Sequence, residues 1–64
     1  MAISLKAARI NSGLTQEQAA EALEITKGTL ANYEMGKTTP RISMAKRIAR
    51  LYGLTVDDII FFEN

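Results

Sequence analysis

The sequence of 64 residues contains no cysteine and no histidine. These absences exclude disulfides and thiolate metal sites, and they remove the commonest general base and the commonest metal ligand. The remaining side chains do not supply a base, a nucleophile and an oxyanion donor at a plausible spacing. We therefore expect no enzyme, no metal, no cofactor and no small-molecule ligand.

Long apolar runs are also missing, although 47% of the residues are hydrophobic. No run approaches the roughly 18 residues of a membrane span, and no charged start precedes an apolar segment as in a signal peptide. We expect a soluble, unprocessed, cytoplasmic chain without a membrane partner. A chain this short predicts one domain over residues 1–64, which buries only about 60% of its unfolded surface and depends on tight helix packing or on a partner.

Charge is distributed unevenly along the chain despite a net charge of only +1. Residues 27–50 contain six lysines and arginines against one glutamate, whereas residues 1–26 carry −1 and residues 51–64 carry −3. A basic middle between acidic ends is the pattern expected of a face that meets a phosphate backbone. A solvated surface whose charges merely alternate along the sequence is an equally acceptable explanation.

Helix starts and stops recur at short intervals, and no segment alternates with the period of a strand. The sequence predicts an all-α, compact domain of five helices, at about 2–12, 16–23 and 27–35, from 41–43 to 52, and after Thr55. Thr15 with Gln18 forms a capping box, and Thr55 with Asp58 forms a second one. The inward stripe of the fourth helix is expected to comprise Ile42, Ala45, Ile48, Ala49 and Tyr52.

Helices two and three are separated by only three residues, which is the spacing of a helix-turn-helix over about residues 15–35. In that motif the second helix protrudes from the surface and enters the major groove of DNA. Spacing alone also fits an ordinary helical hairpin, which is the commoner arrangement.

Particular residues favour the first interpretation. The stretch LKAARINSGLTQEQAAEALEITKGTLANYEMGKTTP and the later IARLYGLTVDDI resemble the lambda-repressor and Cro type of helix-turn-helix domain, the XRE family. Arg9, the GLTQ of residues 13–16, the YEMGK of residues 33–37 and Pro40 carry most of the resemblance. The resemblance implies sequence-specific binding of double-stranded DNA, usually by a homodimer, in the control of transcription.

The resemblance also implies roles for individual residues. Gln16 corresponds to a glutamine that grips a DNA phosphate, with Thr15 beside it at the helix start. Arg9 and Glu34 take positions that form a structural ion pair between helices one and three. The backbone of DNA would be followed by Lys37, Thr38 and Arg41. We expect Lys46, Arg47 and Arg50 to be solvated or to act as distant steering charges.

Base contacts would come from Lys27, Gly28, Thr29 and Asn32, on the face of helix three opposite its apolar side. Lys27 could donate to guanine and Asn32 could pair with adenine, while Thr29 could meet a phosphate or a thymine methyl. Each residue could instead be a simple solvated helix position. Gly28 and Ala31 depart from the polar side chains usual in the family, so at Gly28 either the backbone approaches DNA or the position is not read.

The terminal IIFFEN suggests a dimer. With helical spacing, Ile59 and Phe62 face inward and leave Ile60 and Phe61 outside, which is costly for a small monomer. We expect a symmetric homodimer through Ile60, Phe61 and Leu51, with Met44 alongside. Alternatively, all four tail residues close a small core, or the sequence is a segment cut before a larger oligomerisation domain.

The expected function is a transcriptional regulator, a repressor or Cro-like protein that binds a palindromic operator as a dimer and resides on the nucleoid. The alternative is a protein-interaction module that uses the same fold and binds a partner through its apolar C-terminal tail.

Overall fold

A computed structural model describes residues 2–61 of the chain. Four α-helices form the body of the domain: α1 is Leu5–Asn11, α2 is Gln16–Leu23, α3 is Lys27–Met35 and α4 is Ile42–Leu51. Two short strands, β1 (Ile3–Ser4) and β2 (Ile59–Ile60), pair in parallel, and a single 3-10 turn, Val56–Asp58, precedes β2. The domain is therefore mostly helical, but the expectation of five helices without a strand is wrong.

Local capping explains where the helices begin and end. The Thr15 hydroxyl accepts from the Gln18 amide at 3.1 Å while the Gln18 side chain accepts from the Thr15 amide at 2.9 Å. Thr26 caps α3 by accepting from the Thr29 amide at 3.1 Å. Gly36, at φ 75°, ends α3 in the left-handed conformation that glycine adopts without strain.

The first predicted helix begins later than expected. Ser4 is its N-cap and accepts from the Ala7 amide at 3.1 Å, so α1 starts at Leu5 rather than at residue 2. Ile3 and Ser4 instead lie opposite Ile59 and Ile60 in the parallel pair. This pair joins the two ends of the described chain, which sequence periodicity cannot reveal for strands of two residues.

The predicted fifth helix is a single 3-10 turn followed by extended backbone. Asp58 accepts from the amide and the hydroxyl of Thr55, both at 3.0 Å, and these two contacts hold the pKa of Asp58 below its ordinary value. Ile59, Ile60 and Phe61 are 5%, 45% and 6% exposed, which is the alternation of a strand. The expected exposure of Phe61 is therefore wrong, and Phe62 lies outside the described residues.

One core joins all four helices and β2. Its buried apolar members are Leu5, Ala8, Ala19, Ala20, Leu23, Leu30, Ala45, Ile48, Ala49, Tyr52, Ile59 and Phe61. Ile42, expected on the inward stripe of α4, is 65% exposed, since α4 buries residues of its later turns and not its first one. Within residues 2–61, the helices are all too short or too polar to cross a membrane.

Candidate nucleic-acid interface

Arg9 and Glu34 meet between α1 and α3. Arg9 Nε lies 2.7 Å from Glu34 Oε2, and Arg9 Nη2 lies 3.4 Å from Oε1. The two side chains are only 10% and 3% exposed, and Arg9 Nη1 also donates to the Leu14 carbonyl at 2.9 Å. The Glu34 charge is therefore compensated inside the protein, and it adds little repulsion toward a nearby phosphate.

Gln16, the first residue of α2, is tied to the same carboxylate. Its Nε2 donates to Glu34 Oε1 at 3.0 Å, and its side chain is half-buried. Thr15 precedes it as the exposed N-cap, and its hydroxyl accepts from the Gln18 amide. The hydroxyl hydrogen of Thr15 and one N–H of Gln16 have no acceptor among the described residues.

A shallow depression, here named the α2 cleft, surrounds this helix start. It contains three cationic side chains and one carboxylate, and its lining is Lys6, Arg9, Ile10, Gly13, Leu14, Thr15, Gln16, Glu17 and Lys27. Lys6 was missed by the sequence interpretation. Its spacing of three residues from Arg9 on one helix was an available signal, because such residues lie on the same side.

The face of α3 that points away from the core carries the predicted base-contacting residues. Leu30 is fully buried, whereas Lys27 and Gly28 are exposed and Thr29 and Asn32 are half-buried. The Thr29 hydroxyl lies 2.8 Å from that of Thr26, so it already has a partner within the cap. Lys27 and Asn32 make no side-chain hydrogen bond within residues 2–61.

A second depression, the α4 groove, continues from α3 toward the start of α4. It is lined by Thr29, Asn32, Tyr33, Thr38, Thr39, Arg41, Ser43 and Met44. The predicted backbone contacts Thr38 and Arg41 thus lie beside the predicted base contact Asn32. Lys37 is exposed just before them, and its amide donates to the Asn32 carbonyl at 3.0 Å.

Comparison with known proteins agrees with this arrangement. A family model described as helix-turn-helix matches residues 5–59. The chain belongs to the helix-turn-helix family. The resemblance to the XRE type is thereby confirmed.

Several relatives are similar over most of the chain. An HTH-type transcriptional regulator of Methanocaldococcus jannaschii is 35% identical over 94% of this chain and 91% of its own length. One from Archaeoglobus fulgidus is 30% identical over 100% of this chain and 90% of its own length. The phage CTXphi transcriptional repressor RstR of Vibrio cholerae is 27% identical over 81% of this chain and 47% of its length. Family and relatives point to a DNA-binding regulator rather than an enzyme.

The turn of the helix-turn-helix has a contact that the sequence interpretation missed. Arg47 Nη2, from α4, donates to the carbonyl of Leu23, the last residue of α2, at 3.0 Å. Glu24 follows with φ 60°, the left-handed conformation that side chains disfavour. Arg47 is therefore engaged in holding this turn and is not simply solvated.

Tyr52 is the buried residue that ends α4, close enough to Arg9 and Glu34 for their charges to act on it. Burial above all, and then the Glu34 carboxylate, raise the pKa of Tyr52 to about 12, while Arg9 acts in the opposite direction. The Tyr52 hydroxyl is buried and has no hydrogen-bond partner within the described part of the chain.

The residues expected at a dimer interface are not equally available. Ile60 is 45% exposed on β2, while Leu51 and Met44 are half-buried against the core. Phe61 is only 6% exposed, so it belongs to the core and not to a surface. Of the two tail residues expected outside, Ile60 is the one left to contact another molecule.

Proposed function

We propose that this chain is a sequence-specific transcriptional regulator, a repressor or Cro-like protein that binds double-stranded DNA through α3. The observation that carries the proposal is the outer face of α3, where the side chains of Lys27 and Asn32 have no hydrogen-bond partner within residues 2–61. An α-helix with its side chains is about 10–12 Å in diameter, so α3 suits a major groove about 12 Å wide.

In this proposal the bases are read by α3. Lys27 donates to guanine O6 and N7, and Asn32 pairs with adenine N6 and N7. Thr29 meets a phosphate or a thymine methyl group. Gly28 contributes no side chain, so part of the specificity comes from DNA shape and deformability.

The DNA backbone is held from both sides of α3. Thr15 and Gln16 of the α2 cleft contact phosphates on one side, with Lys6 and Lys27 adding positive charge. Thr38 and Arg41 of the α4 groove, together with Lys37, follow the backbone on the other side. These contacts fix the register of α3 and carry no base preference of their own.

We further propose that the protein forms a homodimer on a palindromic operator. Because it binds DNA in this proposal, it resides on the nucleoid in the cytoplasm. The exposed Ile60, with Leu51 beside the core, is the proposed apolar contact. A two-fold axis would set the two α3 helices about 34–36 Å apart. The alternative of a protein-interaction module that binds through the tail loses support because Phe61 is buried.

Selection of bound sites from a pool of random duplexes tests the function. We expect one enriched palindromic motif, and an affinity whose logarithm falls with log salt at a slope near −0.9 per phosphate contacted. Failure to bind any duplex at low salt would exclude the proposal.

Sedimentation tests the dimer separately and needs no DNA. Ile60→Asp should shift the protein toward monomer, because a carboxylate replaces the apolar contact. Ile42→Asp removes a more exposed isoleucine, 65% against 45%, and should leave the association constant unchanged. Equal behaviour of the two variants would exclude Ile60 from the interface.

A further inference from the structure

The Gln16 side chain is oriented by a residue of another helix. Its Nε2 lies 3.0 Å from Glu34 Oε1, and Glu34 is only 3% exposed. A carboxylate only accepts hydrogen bonds, so the amide nitrogen of Gln16, and not its oxygen, must face Glu34. The second N–H of that nitrogen has no acceptor within residues 2–61, so it remains for an acceptor outside the protein at the edge of the α2 cleft.

The carboxylate that holds Gln16 is itself immobilised. Arg9 donates to both of its oxygens, at 2.7 and 3.4 Å, and is anchored in turn on the Leu14 carbonyl at 2.9 Å. Gln16 is thus fixed at the end of a chain of buried contacts. A glutamine free in solvent would lose rotamer freedom on binding, whereas this one has lost it already.

We propose that Glu34 is a positioning residue, which holds the Gln16 amide in the orientation that donates to a DNA phosphate. The inference rests on the proposed function and deepens it. Because Glu34 belongs to α3, the same carboxylate connects the phosphate contact at α2 to the helix that reads the bases. An Arg9–Glu34 pair that only stabilised the fold would not require Gln16 to share its carboxylate.

The test needs a protein in which Gln16 is intact but no longer held. The double variant Arg9→Met with Glu34→Met removes both buried charges together, so no charge is left unpaired. Gln16→Ala serves as the reference without the amide. Each protein is measured on the selected duplex and on copies in which one phosphate at a time is a neutral methylphosphonate.

The phosphate contacted by Gln16 is identified as the one whose neutralisation weakens duplex binding by the wild type but not by Gln16→Ala. We expect the affinity of the wild type to fall about tenfold when this phosphate is neutralised, since a hydrogen bond to a charged acceptor is lost. Neutralising that phosphate should weaken duplex binding by the double variant less than about twofold. Neutralising any other phosphate should weaken binding by the double variant as much as by the wild type. A folded double variant with the full loss at this phosphate would overturn the inference.

Nuclear magnetic resonance of the free wild type supplies a measurement that depends neither on DNA nor on folding of the variant. The side-chain amide of Gln16 should be more ordered and exchange more slowly than that of the exposed Asn11. Equal mobility of the two amides would overturn the inference. Duplex binding in which no phosphate distinguishes the wild type from Gln16→Ala would overturn it too while leaving the proposed function intact, whereas absence of any duplex binding would refute the proposed function itself.

Discussion

Arg9 and Gln16 in the α2 cleft are held by hydrogen bonds within the protein, whereas Asn32 and Arg41 in the α4 groove are not held within residues 2–61. Gln16 and Arg9 share the Glu34 carboxylate at distances of 2.7 to 3.4 Å. Asn32 and Arg41, across α3, make no side-chain hydrogen bond within residues 2–61. One side of the proposed interface is therefore arranged before DNA arrives, and the other can adjust to it.

This difference suits the two tasks assigned to the interface. A phosphate is the same at every position along DNA, so a rigid donor meets it without choosing among sequences. Base edges differ, and a side chain that can rotate tests them at the cost of some rotamer entropy. Changes at Arg9 and Gln16 should therefore act on stability and general affinity, and a change at Asn32 on specificity.

The largest effect is expected from Arg9→Ala, which leaves the buried Glu34 carboxylate without its ion-pair partner. We expect the free energy of unfolding to fall by about 3–5 kcal/mol, as for other broken buried pairs. Urea denaturation measures this loss. Arg50→Ala, which removes an exposed arginine from the last turn of α4, should cost less than about 0.5 kcal/mol. Similar losses in both variants would mean that the α2 cleft is not held by this pair.

Asn32→Ala and Lys37→Ala should separate base reading from backbone contact. Asn32→Ala should remove about 1–3 kcal/mol of preference at one base pair, because the paired amide is lost. Lys37→Ala should weaken every duplex alike and reduce the salt slope by about one phosphate. Affinity measured on the selected site and on its single-base variants distinguishes the two effects. The same profile for both variants would contradict the assignment.

A smaller effect is expected from Tyr52→Phe, which removes a buried hydroxyl that has no hydrogen-bond partner within residues 2–61. Leaving a buried hydroxyl unsatisfied is costly, so the variant should gain about 1 kcal/mol of unfolding free energy near neutral pH. The pKa of Tyr52 is raised from 10.0 to about 12, so ionisation of Tyr52 does not affect the stability of the wild type below pH 10. Between pH 10 and 12 the unfolded state loses this proton before the folded state does, and the stability of the wild type falls.

The free energies of unfolding of the wild type and of Tyr52→Phe are measured by denaturation across this pH range. The two proteins contain the same lysines, so lysine titration contributes equally to both. The advantage of the phenylalanine variant should therefore widen between pH 10 and 12. If the difference in unfolding free energy between the two proteins stayed constant with pH, the pKa of Tyr52 would be the same in the folded and the unfolded state.

The helix-turn-helix itself could be predicted because its signals are local. Thr15, Thr26 and Gly36 act within three or four residues of the helix ends, so α2 and α3 have the expected bounds. The left-handed residue after α2 could not be predicted, because position 24 is a glutamate and not the glycine that is typical of this conformation.

The missed features connect residues far apart in the sequence. The parallel strands pair Ile3 with Ile59, and neither strand is long enough to show a period. The Gln16 to Glu34 and Arg47 to Leu23 contacts likewise bridge different helices. Phe61 was assigned to the surface because helical spacing was applied to a segment whose backbone is extended.

Gly28→Ala is expected to have the smallest effect and to show how closely DNA approaches α3. An added Cβ meets only the Thr26 hydroxyl oxygen, at 4.0 Å, so the free protein has room for it. The unfolding free energy should rise by about 0.5–1 kcal/mol, because alanine restricts the unfolded chain and favours the helix. Unchanged affinity for the selected duplex would make Gly28 an unread position beside Lys27, which is the outcome we expect. Weaker binding by this more stable protein would instead mean that the backbone of α3 itself contacts DNA. The interface would then contain a third, close-packed region between the α2 cleft and the α4 groove.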